Sequence, residues 1–161
     1  MAIQIFTTGG TIDKVYFDAR SEYEVGEPTI LGILRACGVT ADFRVETLIR
    51  KDSLDITDDD RRLIVERVAA CELDRILITH GTDTMVETAL ALRPIPGKTI
   101  VLVGSLSPAV FRHTDAEFNI GFSFAIVQTQ PPGVYLAMNG QVFDPERVSK
   151  NRAMNRFESS S

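Results

Sequence analysis

The sequence predicts an α/β fold: a doubly wound, mostly parallel five-stranded sheet flanked by helices, closed by a C-terminal hairpin. Three observations carry this. Strand-like apolar runs and helix-like stretches alternate along nearly the whole chain, which is the rhythm of a parallel sheet covered by helices. Two of the strand-like runs end in glycine- and threonine-rich loops, Thr7-Thr8-Gly9-Gly10-Thr11-Ile12 and Thr79-His80-Gly81-Thr82-Asp83-Thr84. With 161 residues, 44% of them hydrophobic, the chain is also long enough to build one compact domain with a full core.

Each element follows from a local signal. Strands are expected over 2–7, 43–49, 75–79, 99–103 and 133–138, and helices over 28–37, 58–72, 83–92 and 115–128. Thr57 followed by Asp58-Asp59-Asp60 suits a helix start, where acids complement the positive dipole end. Thr84 with Glu87, and Thr114 with Glu117, have capping-box spacing. Arg93-Pro94-Ile95-Pro96-Gly97 stops the third helix ahead of Thr99-Ile100-Val101-Leu102-Val103, a run suited to a sheet interior. Asn139-Gly140 reads as the tight turn of a hairpin ending in Gln141-Val142-Phe143. The polar, locally basic tail from Ser149 is either frayed or ordered by packing over the site. This rhythm fits the order 2-1-3-4-5, flavodoxin-like or Rossmann-like, with its switch point between the first and third strands. Those strands carry the two threonine loops.

Bulk properties narrow the function. The net charge of −5 gives no basic field for nucleic acid or an anionic membrane. No apolar run approaches bilayer length, and Met1-Ala2-Ile3-Gln4 opens without the pattern of a secretory signal, so a cytoplasmic protein is expected. Cys37 and Cys71 fall in expected helices and read as buried, reduced thiols rather than a disulfide framework. With His80 and His113 alone and no paired cysteines, metal-site spacing is missing and no cofactor is expected.

The loops carry the chemistry. A strand that gives way to Gly-Gly-Thr brings bare backbone and a hydroxyl close to a ligand. Gly-Thr-Asp-Thr ahead of a helix adds hydroxyls, a carboxylate and free N–H groups. Thr11 is internal, so its hydroxyl can attack a carbonyl only if a base elsewhere takes its proton. Tyr16, Tyr23, Thr82, Asp83 and Lys150 are the candidates, and N–H groups at the two turns could stabilise an oxyanion. Each residue has a plainer reading. Gly9-Gly10 can serve a tight turn only, and it lacks the spacing of a phosphate-binding loop. Asp83 and Thr84 can be caps, His80 a hydrogen-bonded structural residue, Ser53 a loop residue and Lys150 a solvated lysine. Their conjunction favours a site.

Thr8-Gly9-Gly10-Thr11-Ile12 and His80-Gly81-Thr82-Asp83-Thr84-Met85 give the chain its resemblance to the bacterial-type L-asparaginase family, specifically to that family's N-terminal, catalytic-loop domain. Tyr23-Glu24-Val25-Gly26, Asp52-Ser53-Leu54-Asp55, Val103-Gly104-Ser105 and Asp144-Pro145-Glu146-Arg147-Val148-Ser149-Lys150 extend it in family order to about residue 157. The resemblance implies hydrolysis of L-asparagine, or L-glutamine, through an acyl-enzyme. Thr11 matches the nucleophile and Tyr23 the mobile tyrosine assisting it. Thr82, Asp83 and Lys150 match a relay of threonine, acid and lysine, while Ser53, Gly10, Gly81 and Asp83 match the substrate-binding set. Ser53 is usually followed in the family by a glutamine that contacts the substrate's amino group; here Leu54 follows. Residues 1–161 are expected to form a single domain without the family's second, C-terminal domain, as either a short one-domain member or a fragment, and the complete set of matched residues favours the first. A short one-domain enzyme, working as a homo-oligomer, is therefore expected. Phe111, Phe118, Phe122 and Phe124 are candidate contacts that could equally be core. Two other readings remain: an ammonia-producing subunit of a tRNA-dependent amidotransferase, and a non-catalytic amino-acid-binding module.

Overall fold

A computed structural model describes residues 1–160. The first strand, β1 (Ile3–Gly9), runs into a short 3-10 turn, Thr11–Asp13, and then a small hairpin, β2 (Lys14–Phe17) and β3 (Glu22–Val25). Helix α1 (Ile30–Ala36) leads to β4 (Phe43–Lys51), and a 3-10 turn at Ser53–Asp55 precedes α2 (Asp58–Ala70). Strand β5 (Arg75–Thr79), helix α3 (Met85–Leu92), strand β6 (Thr99–Val103) and helix α4 (Ala116–Thr129) continue the alternation. The chain then forms β7 (Gly133–Met138) and β8 (Gln141–Phe143), and ends in a second small hairpin, β9 (Val148–Asn151) and β10 (Arg156–Ser159).

The central sheet has the order β4-β1-β5-β6-β7-β8. Its five parallel strands follow the doubly wound order the sequence predicts, and β8 adds a sixth, antiparallel strand through the Asn139-Gly140 turn. Both turn residues have positive φ, 49° and 82°, which matches the twist a two-residue hairpin needs. Every residue of β1 and β6 is buried, because helices cover both faces of the inner strands. Ile5, Leu77, Val101 and Leu136 are among the core residues with no exposed surface. No helix among the described residues is long and apolar enough to cross a membrane.

Several local expectations change. Thr57 does cap α2, accepting from the Asp60 N–H at 3.2 Å while the Asp60 carboxylate takes the Thr57 N–H at 2.9 Å. Neither of the other two capping boxes forms. Thr84 spends its hydroxyl on the Ser53 carbonyl at 2.7 Å, a contact across the loops that replaces a bond along its own helix. Thr114 donates to the Ser107 carbonyl and accepts the Ala116 N–H, leaving Asp115 at the cap position. Cys37 is exposed and Cys71 half-buried, since both sit where their helices end. Phe124 is core, Phe122 packs against it from the rim, and Phe118 and Phe111 are 62% and 40% exposed. The tail is neither frayed nor loose, because Phe157 buries its ring 6.2 Å from Phe143 and pins the β9–β10 hairpin to the domain.

Candidate active site

Three loops meet at the carboxyl ends of β4, β1 and β5 with no room for side chains between them. Gly9 and Gly10 take φ of 95° and 91°, a region costly to any residue with a Cβ. A Cβ on Gly10 would lie 2.4 Å from the Gly81 Cα, and one on Gly81 would lie 2.5 Å from the Ser53 Cβ. Glycine is thus required at both positions by close approach. The Gly10 N–H donates to the Lys51 carbonyl at 2.9 Å, and the Thr8 hydroxyl donates to the Thr79 carbonyl at 2.8 Å. The switch point is stitched shut at its base.

Thr11 opens the 3-10 turn above that base and is half-buried. Its turn is pinned from three directions. The Ile12 carbonyl accepts from the Ala109 N–H, and the Asp13 carbonyl accepts from the Gly26 N–H. The Asp13 carboxylate accepts from both the N–H and the hydroxyl of Thr29, at 2.8 and 2.9 Å. Burial raises the Asp13 pKa against the lowering effect of those bonds, and its second oxygen lacks a partner among the described residues. Sequence reasoning passed over Asp13, since an acid after a Gly-Gly-Thr-Ile turn reads as surface.

On the opposite wall Thr82 is buried. The Lys150 ammonium donates to the Thr82 hydroxyl and to Asp83 Oδ1, each at 2.8 Å. Residues 67 and 68 positions apart in sequence therefore share one proton-bearing group, delivered by β9 on its Phe157 anchor. Arg152 joins them, with Nε 3.7 Å from the same Asp83 oxygen. Sequence reasoning missed Arg152; the available signal was its place two residues beyond Lys150. Ser53 is buried against Gly81, and Leu54 beside it is 63% exposed.

Tyr23 stands apart. It faces Tyr16 across the β2–β3 hairpin, with ring centroids 5.4 Å apart, and its other edge lies 5.7 Å from Phe111. The ring is half-exposed beside a charged groove that includes Lys14, Arg50 and Asp52, and its hydroxyl makes no bond to Thr11. His80 takes the plainer of its two readings. It is fully buried, with Nδ1 2.7 Å from the Gly81 carbonyl oxygen and Nε2 2.9 Å from the Thr88 hydroxyl. Burial lowers its pKa from 6.5 to about 4, so the ring is neutral at pH 7. Among the described residues no group of three or more His, Cys, Asp or Glu gathers to hold a metal ion.

A doubly wound α/β domain with a threonine turn on one side of its switch point and a threonine–carboxylate–ammonium cluster on the other defines the class. The comparisons with known proteins narrow it. The family described as "Asparaginase, N-terminal" matches residues 2–160, and the chain belongs to that family. It is 32% identical to the L-asparaginase of Thermococcus kodakarensis over 99% of this chain and 51% of that protein. It is 28% identical to the glutaminase-asparaginase of Pseudomonas fluorescens biotype A, over 92% of this chain and 45% of that one. The solved structure of the thermostable Thermococcus kodakarensis L-asparaginase superimposes with a TM-score of 0.85 at 29% identity, covering 99% of this chain and 51% of that chain. The chain spans about half the length of the curated relatives it matches.

Proposed function

We propose that this chain hydrolyses the side-chain amide of L-asparagine to L-aspartate and ammonia through a Thr11 ester. The observation that carries the reading is the Lys150 ammonium bridging Thr82 and Asp83, on the loop whose Gly81 packs against Gly10, the residue before Thr11. The Thr11 oxygen adds to the amide carbon as its proton passes to a neighbouring base. Backbone N–H groups of the two turns stabilise the oxyanion. The base returns that proton to the amide nitrogen, and collapse expels ammonia and leaves the ester. Water activated by the Thr82–Lys150 pair adds to that ester, releasing aspartate and returning the proton to Thr11. Ser53, Gly10 and Gly81 shape the pocket for the substrate's carboxylate, and Tyr23 assists Thr11 when the β2–β3 hairpin swings toward it.

Glutamine differs by one methylene, worth only about 1–3 kcal/mol of discrimination. Similarity to a glutaminase-asparaginase supports testing both amides. A second copy of the chain is proposed to wall the open side, with the exposed Phe111 and Phe118 as contacts. The two free thiols suit the cytoplasm.

Ammonia release from asparagine and glutamine by the purified chain tests the proposal. Thr11→Ala, Thr82→Ala and Lys150→Met should each lower turnover by several orders of magnitude in folded protein. Near-normal turnover in any of them removes that residue from the mechanism. Binding without ammonia release would identify an amino-acid-binding module instead.

A further inference from the structure

The β2–β3 hairpin is gripped at its root and loose beyond it. At the root the Asp13 carbonyl accepts the Gly26 N–H at 2.8 Å, which closes the hairpin between them. Lys14 Nζ lies 2.6 Å from Asp52, and Glu27 takes both terminal nitrogens of Arg50, so each side of the root is tied to the end of β4. Further out, residues 15–25 make no side-chain hydrogen bond or ion pair outside the hairpin among the described residues. Arg20 pairs with Glu24 within it, and Tyr23 meets Phe111 by a ring edge.

One group at the root exceeds what a hairpin needs. The Asp13 carboxylate takes the N–H and the hydroxyl of Thr29 on a single oxygen, Oδ1, at 2.8 and 2.9 Å. The Asp13 N–H in turn donates to the Gly10 carbonyl at 3.1 Å, across Thr11. One residue thus joins the Thr11 turn, the closing end of the hairpin and the start of α1. Its second oxygen, Oδ2, is buried without a partner among the described residues, an arrangement that costs free energy. That cost is borne at the residue linking Thr11 to the pivot of Tyr23. We propose that Asp13 is a positioning residue: its carboxylate fixes the pivot of the β2–β3 hairpin to the Thr11 turn, so that the swing of the hairpin ends with Tyr23 at Thr11. The proposal rests on the amide-hydrolase reading of the site. Ser53, Thr82, Asp83 and Lys150 sit on other loops, so a loosened pivot disturbs the attack by Thr11 and spares substrate binding.

The test compares Asp13→Ala, Asp13→Asn and Thr29→Val with the unsubstituted chain. Asparagine keeps an acceptor oxygen for Thr29, alanine removes it, and valine deletes the Thr29 hydroxyl from the other end. Hydrogen–deuterium exchange gives a readout that needs no turnover. Amides of residues 26–29 should exchange about tenfold faster or more in Asp13→Ala, less so in Thr29→Val, and near the unsubstituted rate in Asp13→Asn, with β1 and β5 unchanged. With asparagine as substrate, Asp13→Ala should lower kcat by about 10²-fold and leave KM within about threefold, and Asp13→Asn should restore kcat. In a Tyr23→Phe background the same substitution should cost less than about threefold, because the pivot acts through the tyrosine. A raised KM at unchanged kcat, an equal loss in Asp13→Asn, or a loss undiminished by Tyr23→Phe overturns the proposal. If Asp13→Ala does not fold, Thr29→Val carries the same comparison. If the unsubstituted chain releases no ammonia while exchange follows the expected pattern, the hydrolase reading fails and the tether stands. If asparagine is hydrolysed and exchange at residues 26–29 is unchanged in the variants, the tether fails alone.

Discussion

Acid should loosen this site through His80. A neutral imidazole satisfies both of its neighbours: Nδ1–H donates to the Gly81 carbonyl, which leaves Nε2 to accept from the Thr88 hydroxyl. Burial lowers the pKa to about 4, the Gly81 carbonyl opposes the shift and Arg61 adds to it. Below pH 6.5 the unfolded chain takes up a proton that the folded chain refuses, so stability falls as pH falls. The slope approaches about 1.4 kcal/mol per pH unit and flattens near pH 4, where the folded ring protonates. From pH 7.5 to pH 5 the loss is about 2 kcal/mol. Asp13 acts with the opposite sign, because a raised carboxyl pKa favours the fold as pH falls toward 3.8. Asp60, held low by its Lys51 bond, loses stability only below that range. Urea unfolding of the unsubstituted chain and of His80→Gln isolates the histidine, since Asp13 contributes equally to both. The stability gap between the two proteins should shrink by about 2 kcal/mol between pH 7.5 and pH 5. The chain has two histidines, so the variant also assigns the ring resonances. A gap that does not change with pH, or a His80 ring titrating near pH 6.5, would refute the reasoning.

Packing at the switch point predicts further outcomes. Gly10→Ala combines φ of 91° with a contact 2.4 Å from Gly81 backbone, and should cost at least about 2–3 kcal/mol, read as a Tm fall of roughly 5–10 °C. Gly38→Ala, at φ 63° in open space, should cost about 1 kcal/mol, and equal losses at the two sites would count against the close-approach account. Phe157→Ala empties the anchor of the hairpin that carries Lys150, at a cost of about 3–5 kcal/mol, and ammonia release should fall with it. Full activity in that variant would show that Lys150 is positioned by other contacts. Phe118→Glu, on the exposed face of α4, should leave stability within about 0.5 kcal/mol. It should also lower the sedimentation coefficient if that face joins two copies, and an unchanged coefficient removes Phe118 from the contact.

The parallel sheet was legible in the sequence because burial on both faces leaves a local trace. Ile76-Leu77-Ile78 and Ile100-Val101-Leu102 are apolar without interruption, and the helices between them force a parallel crossover. The two threonine loops were legible too, since glycine at Gly10 and Gly81 answers a steric demand that any other side chain would violate. The small hairpins were not. Strands β2, β3, β9 and β10 have four residues each and draw their stability from Tyr23 on Phe111 and from Phe157 on Phe143, contacts invisible to local periodicity. Thr84 looked like a cap along its own helix, but the nearby Ser53 carbonyl won its hydroxyl. The sequence by itself determined the strand order and the glycine turns, and through family resemblance it named the candidate site residues. Tertiary structure alone decided that His80 stays neutral, that Tyr23 rests on Phe111 and that Arg152 joins Lys150 at Asp83. Periodicity records which side chains leave water, whereas hydrogen bonds and charge pairs depend on which distant groups the packed chain brings within about 3 to 4 Å of each other.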